Sequence, residues 1–157
     1  MSFTLPPRTG EKPVTDNVIP HTQYSQNATD EIIEALSQWL FSLEHIEEKD
    51  SLISVAGTPG AYFNVNVKGL NPAALLIDRE FTHIHPQPQG GSQHLALRPE
   101  DANEVIAKGW GEEHPLLKGG YLRTHTIMVY APRDERDLNV IKTITQRSYD
   151  FAMNRLS

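Results

Sequence analysis

The sequence has no cysteine among its 157 residues. This excludes disulfide bonds, thiolate metal ligands and cysteine nucleophiles, and leaves histidine, carboxylate, tyrosine and serine side chains to carry any reaction. No apolar run approaches the roughly 20 residues that a membrane-spanning helix needs, so a membrane partner is not expected. The first residues also lack the basic and apolar regions of a secretory signal, and we therefore expect a cytoplasmic location.

An excess of positive charge is missing as well. The formal net charge is −6, and no basic patch stands out that would bind phosphates, so a nucleic-acid partner is not expected. No Gly-x-Gly-x-x-Gly motif follows a predicted strand, which argues against a flavin or nicotinamide site. The composition, 38% hydrophobic and 22% charged, is that of a globular protein of one-domain length.

The chain divides near its first helix. Residues 1–28 contain four prolines and no apolar period, which predicts an extended arm. Residues 29–157 are predicted to form a single domain. Its first helix begins after Thr29, a suitable capping residue, and carries Leu36 and Leu40 at helical spacing.

Short apolar runs separated by turn residues fill the rest of the chain. They predict strands at 51–57, 60–68, 73–78, 80–86, 92–97 and 124–131. Further helices are predicted from Pro99 to about Gly109 and from near Asp134 to the end of the chain. Since few βαβ units occur in this order, the sequence predicts an α+β fold with a mostly antiparallel sheet and helices packed on one side.

Three histidines fall within one predicted hairpin. His83 and His85 alternate along one strand and therefore share a face, and His94 on the next strand can reach them across the pairing. Ile84 and Leu95 then take the opposite, apolar face. Imidazole titrates near physiological pH and is the commonest metal ligand in proteins. The hairpin therefore predicts proton transfer or metal binding.

Two interpretations of these three histidines stay open. In one, they bind a zinc-like ion; the spacing is similar to that of the metal-binding strands of jelly-roll oxygenases, which fits iron and dioxygen. In the other, they bond to carboxylates and backbone on a polar sheet face, and no metal is needed. The predicted cofactor is accordingly either none or a divalent metal such as iron or zinc.

A second motif runs from Trp110 to Pro115 in a predicted loop. Glu112 and His114 can share a side there, and a carboxylate beside an imidazole is suited to proton transfer, with His114 as the general base. Trp110 is a candidate substrate contact. The alternative is that Trp110 anchors the packing and the remainder is a surface loop.

A third motif joins a strand end to a helix start. Tyr130 ends the predicted strand, and Arg133 stands at the entrance of the last helix, where a guanidinium and free backbone N–H groups can bind a carboxylate or phosphate. Both are candidate substrate-binding residues. The alternative is that Arg133 forms a structural ion pair with Glu80 or Asp134. Glu80 has the opposite strand parity to His83, so it is expected to belong with such a pair rather than with the histidines.

Four segments in this order resemble the luciferase-domain family. They are Arg79-Glu-Phe-Thr-His-Ile-His-Pro86, Gly91-Ser-Gln-His-Leu-Ala-Leu97, Lys108-Gly-Trp-Gly-Glu-Glu-His-Pro115 and Met128-Val-Tyr-Ala-Pro-Arg-Asp-Glu135. The resemblance extends through Ser148-Tyr-Asp-Phe-Ala152. It implies a shared fold and a set of motif positions rather than a reaction. The other histidines, His21, His45 and His125, lie outside these motifs, and only His125 is considered as an accessory.

Together these observations predict a small-molecule enzyme with a pocket lined by histidine, glutamate and arginine. Its chemistry is acid/base or metal-assisted: a decarboxylation, isomerisation or cyclisation of the lyase or isomerase type, or an oxygenation. The alternative is a non-catalytic accessory protein that binds a small ligand or self-associates, with structural histidines. A homo-oligomer formed through the arm or an uncovered strand edge is compatible with both.

Overall fold

A computed structural model describes residues 3–118 and 125–156. The helices are α1 (Asp30–Phe41), α2 (Pro99–Ala107), the short α3 (Pro115–Lys118) and α4 (Glu135–Ala152), with a 3-10 turn at Pro72–Ala74. The strands are β1 (Ile46–Asp50), β2 (Pro59–Phe63), β3 (Glu80–Ile84), β4 (Gln93–Ala96), β5 (Gly111–Glu113) and β6 (Thr126–Val129). Among these helices, none is long and apolar enough to cross a membrane.

The six strands form one sheet in the order β1-β2-β3-β4-β6-β5, and every neighbouring pair is antiparallel. Helices pack on one face of this sheet, so the predicted α+β class and layering are confirmed. The core between them contains apolar side chains of both layers, among them Leu36, Leu40, Phe81, Leu95 and Ile141, each at most 1% exposed. Burial of this apolar face is the main stabilising contribution to the fold.

The helix boundaries follow the predicted caps. The Thr29 side chain accepts a hydrogen bond from the backbone N–H of Ile32, and the Asp134 side chain accepts one from Asp137. Each oxygen satisfies an N–H group that has no partner within its helix. Gly109 has a φ of +85°, a left-handed conformation that favours glycine, and it follows the end of α2.

The strand predictions are correct for the histidine hairpin, for β6 within 124–131 and for the first part of 60–68, and wrong for 51–57 and 73–78. Residues 51–57 form bends and turns, and residues 73–78 contain the end of the 3-10 turn and one isolated bridge. The edge strand β1 was not predicted, because its charged sequence does not alternate between apolar and polar residues. Its last three residues are exposed. Strand β5 was predicted as a loop because three residues are too few to show a period.

One row of side chains crosses the sheet on the face away from the core. The register pairs Gly60 with His83, His83 with His94, His94 with Met128, and Met128 with Glu112. Residues directly opposite each other on paired strands point to the same face. The row therefore carries two histidines and a glutamate from β3, β4 and β5 onto one polar face.

The N-terminal segment, residues 3–28, lies along the sheet rather than away from it. Leu5 is 3% exposed and belongs to the core, the Trp110 indole N–H donates to the Pro6 carbonyl at 2.7 Å, and Arg8 N–H donates to the Lys108 carbonyl at 2.9 Å. Farther along, Thr15 pairs with Gln23 in an antiparallel bridge. This turn places the intervening residues over the polar face of the sheet.

Candidate functional site

Five histidines form one cluster on the polar face. They are His21, His83, His85, His94 and His114, with His94 at the centre. The His94 ring lies between 4.8 and 5.3 Å, centroid to centroid, from each of the other four rings. His45 and His125 are exposed residues outside the cluster. An imidazole in contact with four others is unusual for packing and points to chemistry.

The structure brings the three hairpin histidines together as predicted. His83 Nε2 lies 3.3 Å from His94 Nδ1, and the His85 ring is 5.0 Å from His83 and 4.9 Å from His94. The Nδ1 atom of His85 lies 2.7 Å from the Ser92 hydroxyl oxygen. His83 and His94 are buried, whereas His85 is partly exposed, so the cluster reaches the surface beside His85.

Glu80 anchors one end of the cluster, and its predicted pairing with Arg133 is wrong. Its carboxylate accepts from His83 Nδ1 at 2.9 Å, from the Ser51 hydroxyl at 2.7 Å and from the Leu52 N–H at 3.0 Å. The Tyr62 hydroxyl, whose pKa is raised to about 12 by burial and by Glu80, is a fourth donor at 3.0 Å.

A β-bulge explains why strand alternation failed for Glu80. Ala61 pairs with Thr82 and Tyr62 pairs with Glu80, so the ladder skips Phe81 on β3. An extra residue in one strand reverses the facing of what precedes it. Phe81 therefore enters the core, and Glu80 turns to the side of His83. Gly60 leaves the room that this needs, since a Cβ there would lie 3.2 Å from the carboxylate.

His21 and Glu112 anchor the other end. His21 Nδ1 lies 3.1 Å from His94 Nε2, and His21 Nε2 lies 2.8 Å from Glu112 Oε2. Thr15 and Tyr130 also donate hydroxyl hydrogen bonds to this carboxylate, at 2.8 and 2.9 Å. Sequence reasoning missed His21, which no local pattern distinguishes; only its chemical type could have drawn attention to it.

His114 joins the cluster but does not pair with Glu112, contrary to the expectation from the motif. Its Nδ1 accepts the backbone N–H of Leu116 at 3.1 Å, and its ring packs against His94 and His21. Burial and the neighbouring His21 lower the pKa of His114 to about 4, so the ring is neutral at pH 7. With Nδ1 accepting, the single proton lies on Nε2, which makes His114 a hydrogen-bond donor toward the cluster.

Burial keeps the other inner histidines neutral too. It lowers the pKa of His85 to about 3 and the pKa of His94 well below its ordinary value, and neighbouring imidazoles add to both effects. Burial alone would raise the pKa of Glu112, but hydrogen bonds from His21, Thr15 and Tyr130 lower it to about 2. Hydrogen bonds from His83 and Ser51 likewise lower the pKa of Glu80 against the effect of burial. The neutral rings of His85, His94 and His114 thus lie between two ionised carboxylates.

The remaining predicted site residues lie outside the cluster. Trp110 is buried in the core, with its indole N–H bound to the N-terminal segment. Arg133 bonds to Asp137 through Nε at 2.6 Å and to the Thr9 carbonyl through Nη1 at 2.7 Å, so its structural partner is neither Glu80 nor Asp134. Only Tyr130 contacts the cluster network, through Glu112.

Replacing Arg133 with alanine is expected to lower the free energy of unfolding by about 1–3 kcal/mol, since Asp137 and the Thr9 carbonyl lose a charged donor. Urea denaturation at pH 7 measures this loss. Arg136 in the first turn of α4 is exposed, and its replacement with alanine is the matched control, with an expected change within about 0.5 kcal/mol. Equal effects of the two substitutions would contradict the structural role of Arg133.

A groove of about 600 Å³ lies on the outer side of Glu112. Its walls include Arg8 and Lys12 from the N-terminal segment and Tyr130. No histidine lines it, and it meets the cluster network at Glu112, whose Oε1 lies 3.7 Å from the Lys12 ammonium and 2.9 Å from the Tyr130 hydroxyl. Its volume is within the range of small-molecule sites.

Among the residues that the structure describes, two sets of three histidines are close enough to share a metal ion, and both contain His94. One is His83, His85 and His94, the set predicted from the hairpin, and the other is His21, His94 and His114. In each set, one nitrogen from each ring lies within 4.8 Å of the others. Both sets consist only of imidazoles, a ligand type that suits zinc, iron, copper and nickel.

Comparisons with known proteins agree with the resemblance seen in the motifs. Residues 78–148 match the family model described as Luciferase domain. The chain is 28% identical over 96% of its length to a luciferase from Armillaria ostoyae, and similarly to one from Armillaria mellea. A luciferase from Neonothopanus nambi is 37% identical over 48% of the chain and 29% of its own length.

The chain spans 62% of the length of the Armillaria relatives. No solved structure matches it. The matched residues contain the histidine hairpin, Glu112, His114 and Arg133. The chain thus resembles the luciferase-domain family, with the match to the family model confined to residues 78–148.

Proposed function

We propose that this protein is an oxygenase-type enzyme that acts on a small organic molecule, with the five-histidine cluster as its reaction centre. The observation that supports this proposal most is a cluster of five imidazoles, partly open to the surface, in a chain similar to curated proteins named luciferases. A luciferase oxidises an organic substrate, and we extend only the reaction class, not light emission, to this chain.

Two partly exposed members of the cluster pack against the buried His94, and a substrate can approach the cluster at these two residues. His85 and His114 pack against His94 at 4.9 and 4.8 Å, centroid to centroid. His114 offers Nε2–H at that point. We propose that it donates a hydrogen bond to negative charge that develops on a substrate oxygen, rather than acting as the base inferred from the motif.

The groove beside Glu112 is our proposed binding site for the body of the substrate. Its lining carries Arg8 and Lys12 together with Glu112 and Glu113, and the side chains of Tyr130 and Ile106 supply apolar surface. Such a surface suits a small organic molecule with polar groups. Because Glu112 bonds to His21, a ligand in the groove that displaced Lys12 or Tyr130 from Glu112 would act directly on the cluster.

The proposal can be tested without knowing the substrate. The purified protein is incubated with a small-metabolite extract of the source cells under oxygen-18 gas, and the products are compared by untargeted mass spectrometry with a heat-inactivated sample. We expect at least one product that carries the heavy isotope and forms only with active protein. Turnover without isotope incorporation would point instead to lyase or isomerase chemistry, and binding without turnover would point to an accessory protein.

A matched pair of variants connects that activity to the cluster. His85→Ala is expected to reduce isotope incorporation by at least about 100-fold, in line with the loss of one group of a catalytic unit. His45→Asn is the control, because His45 is exposed outside the cluster and has a φ of +70°, which asparagine tolerates. Equal losses in the two variants would separate the activity from the cluster.

A further inference from the structure

A continuous line of contacts joins the two carboxylates through three imidazoles. From one end, Glu80 Oε2 lies 2.9 Å from His83 Nδ1, and His83 Nε2 lies 3.3 Å from His94 Nδ1. From the other, Glu112 Oε2 lies 2.8 Å from His21 Nε2, and His21 Nδ1 lies 3.1 Å from His94 Nε2. Both nitrogens of each of these three rings are therefore engaged.

One N–H on each of the three rings does not satisfy this line. An ionised carboxylate only accepts hydrogen bonds, so His83 carries its proton on Nδ1 and His21 carries its proton on Nε2. With one N–H on each ring, both His83 and His21 present a lone pair to His94. The single N–H of His94 can then be donated to only one of them. At the other contact, two nitrogen lone pairs face each other.

The geometry indicates that the uncompensated contact lies between His83 and His94. That separation, 3.3 Å, is the longer of the two, and the His94–His21 separation of 3.1 Å is that of an ordinary hydrogen bond. His94 then donates from Nε2 to His21 and presents its lone pair from Nδ1. His85 can donate from Nδ1 to the Ser92 hydroxyl at 2.7 Å, which leaves its Nε2 lone pair free.

We propose that a divalent first-row transition metal ion binds His83 Nε2, His85 Nε2 and His94 Nδ1, with His21 and Glu112 as the outer partners that fix the His94 tautomer. Two nitrogens bound to one tetrahedral ion at about 2.0–2.1 Å are separated by about 3.3–3.4 Å. The 3.3 Å between His83 Nε2 and His94 Nδ1 agrees with this value. The cation binds both of the nitrogen lone pairs that otherwise face each other at this contact.

The outer partners of the three ligands support the assignment. Metal-bound histidines commonly donate their second N–H to a carboxylate or another oxygen, which fixes the ring and raises its basicity as a ligand. His83 donates to Glu80, and His85 donates to Ser92. His94 donates to His21, which in turn donates to Glu112. His21 is thus a positioning residue, supplied by the N-terminal segment.

The competing set, His21, His94 and His114, lacks this consistency. Leu116 N–H donates to His114 Nδ1, so the neutral ring holds its proton on Nε2, the atom that would have to bind the metal. Glu112 likewise fixes the His21 proton on Nε2, and the Nδ1 atom of His21 already accepts a hydrogen bond from His94. The hydrogen-bond pattern therefore selects the hairpin set.

The inference deepens the proposed function and rests on it for the role of the metal, but its test measures metal rather than turnover. Tag-free protein is purified without a metal column, stripped with a chelator and titrated anaerobically with Zn²⁺ or Fe²⁺ alone, and the bound metal is determined by elemental analysis. We expect one ion per chain. Absence of binding in the folded, stripped protein would overturn the proposal.

Four variants test the ligand set, with folding checked by circular dichroism because His83 and His94 are deeply buried. His85→Ala, at a partly exposed position, is expected to weaken Zn²⁺ binding by more than about 100-fold, and His21→Ala by about 10–100-fold. His114→Ala and His45→Asn are expected to bind as tightly as the unaltered protein. Weakening by His114→Ala but not by His85→Ala would overturn the assignment in favour of the other set.

The two proposals fail separately. One bound ion without oxygen-18 incorporation supports the metal site and contradicts the oxygenase function. Isotope incorporation by the stripped protein, together with no binding of Zn²⁺ or Fe²⁺, overturns the metal site and leaves the enzyme proposal standing. Nitrogen-15 NMR of the Zn²⁺-loaded protein provides an independent check, because His94 is expected as the Nε2–H tautomer.

Discussion

Replacing Glu80 with alanine is expected to lower the free energy of unfolding by about 3–5 kcal/mol, the range typical of breaking a buried charged network. Glu80 is fully buried and accepts four hydrogen bonds, from Ser51, Leu52, Tyr62 and His83. The substitution removes this acceptor from His83, Ser51 and Leu52, while the Tyr62 hydroxyl keeps the Asp50 carbonyl at 2.8 Å. Each donor that stays buried without an acceptor costs desolvation energy. Urea denaturation of the metal-free protein at pH 7 measures the loss.

Glu48→Ala is the control for this experiment, because Glu48 is an exposed carboxylate on the neighbouring edge strand β1. Its replacement is expected to change the free energy of unfolding by no more than about 0.5 kcal/mol. Glu80→Gln keeps the size and one acceptor oxygen, and is expected to fall between the two. A loss below about 1 kcal/mol for Glu80→Ala would show that the buried network does not stabilise the fold.

The second large effect is a pH-dependent contribution of Glu112 to stability. The pKa of this carboxyl is lowered from its ordinary value of 4.5 to about 2, so the folded protein keeps it ionised where the unfolded chain binds a proton. The contribution is complete above pH 4.5 and is lost as the pH falls toward 2. Its upper bound is about 3 kcal/mol, reduced by the partial exposure of the side chain.

Comparison with Glu112→Gln isolates this contribution, since other groups titrate in both proteins. We expect the original chain to be more stable than the variant by about 2–3 kcal/mol near pH 7, and the difference to shrink steadily below about pH 4.5. Glu113→Gln, at the adjacent exposed position in β5, is expected to show no such trend. A difference between the original chain and Glu112→Gln that stayed constant from pH 7 to pH 3 would contradict the lowered pKa.

The sequence predicted those parts of the site that depend on local alternation. His83, His85 and His94 could be placed on one face because strands alternate with a period of two and a hairpin pairs neighbouring strands. Glu80, three residues before His83, was assigned the wrong side. A single bulge at Phe81 reverses alternation, and no residue type in this segment announces it.

Contacts between distant segments could not be predicted in this way. His21 meets His94 and Glu112 across separations of 73 and 91 residues, and no spacing rule applies over that distance. The same limit applies to β5, whose three residues gain their strand character only from β6. The chemical type of His114 identified it as a candidate site residue, but which of its nitrogens carries the proton depends on the backbone N–H of Leu116.

The position of His21 determines when, during synthesis of the chain, the histidine cluster can be completed. Synthesis proceeds from the N-terminus, so His21 leaves the ribosome well before β4 and β5, which carry its partners His94 and Glu112. Until then the segment around His21 has no polar face to cover. A nascent chain released before residue 112 would hold four of the five clustered histidines and one of the two carboxylates. The centre is therefore completed late in translation, when the N-terminal segment folds back over a sheet made after it.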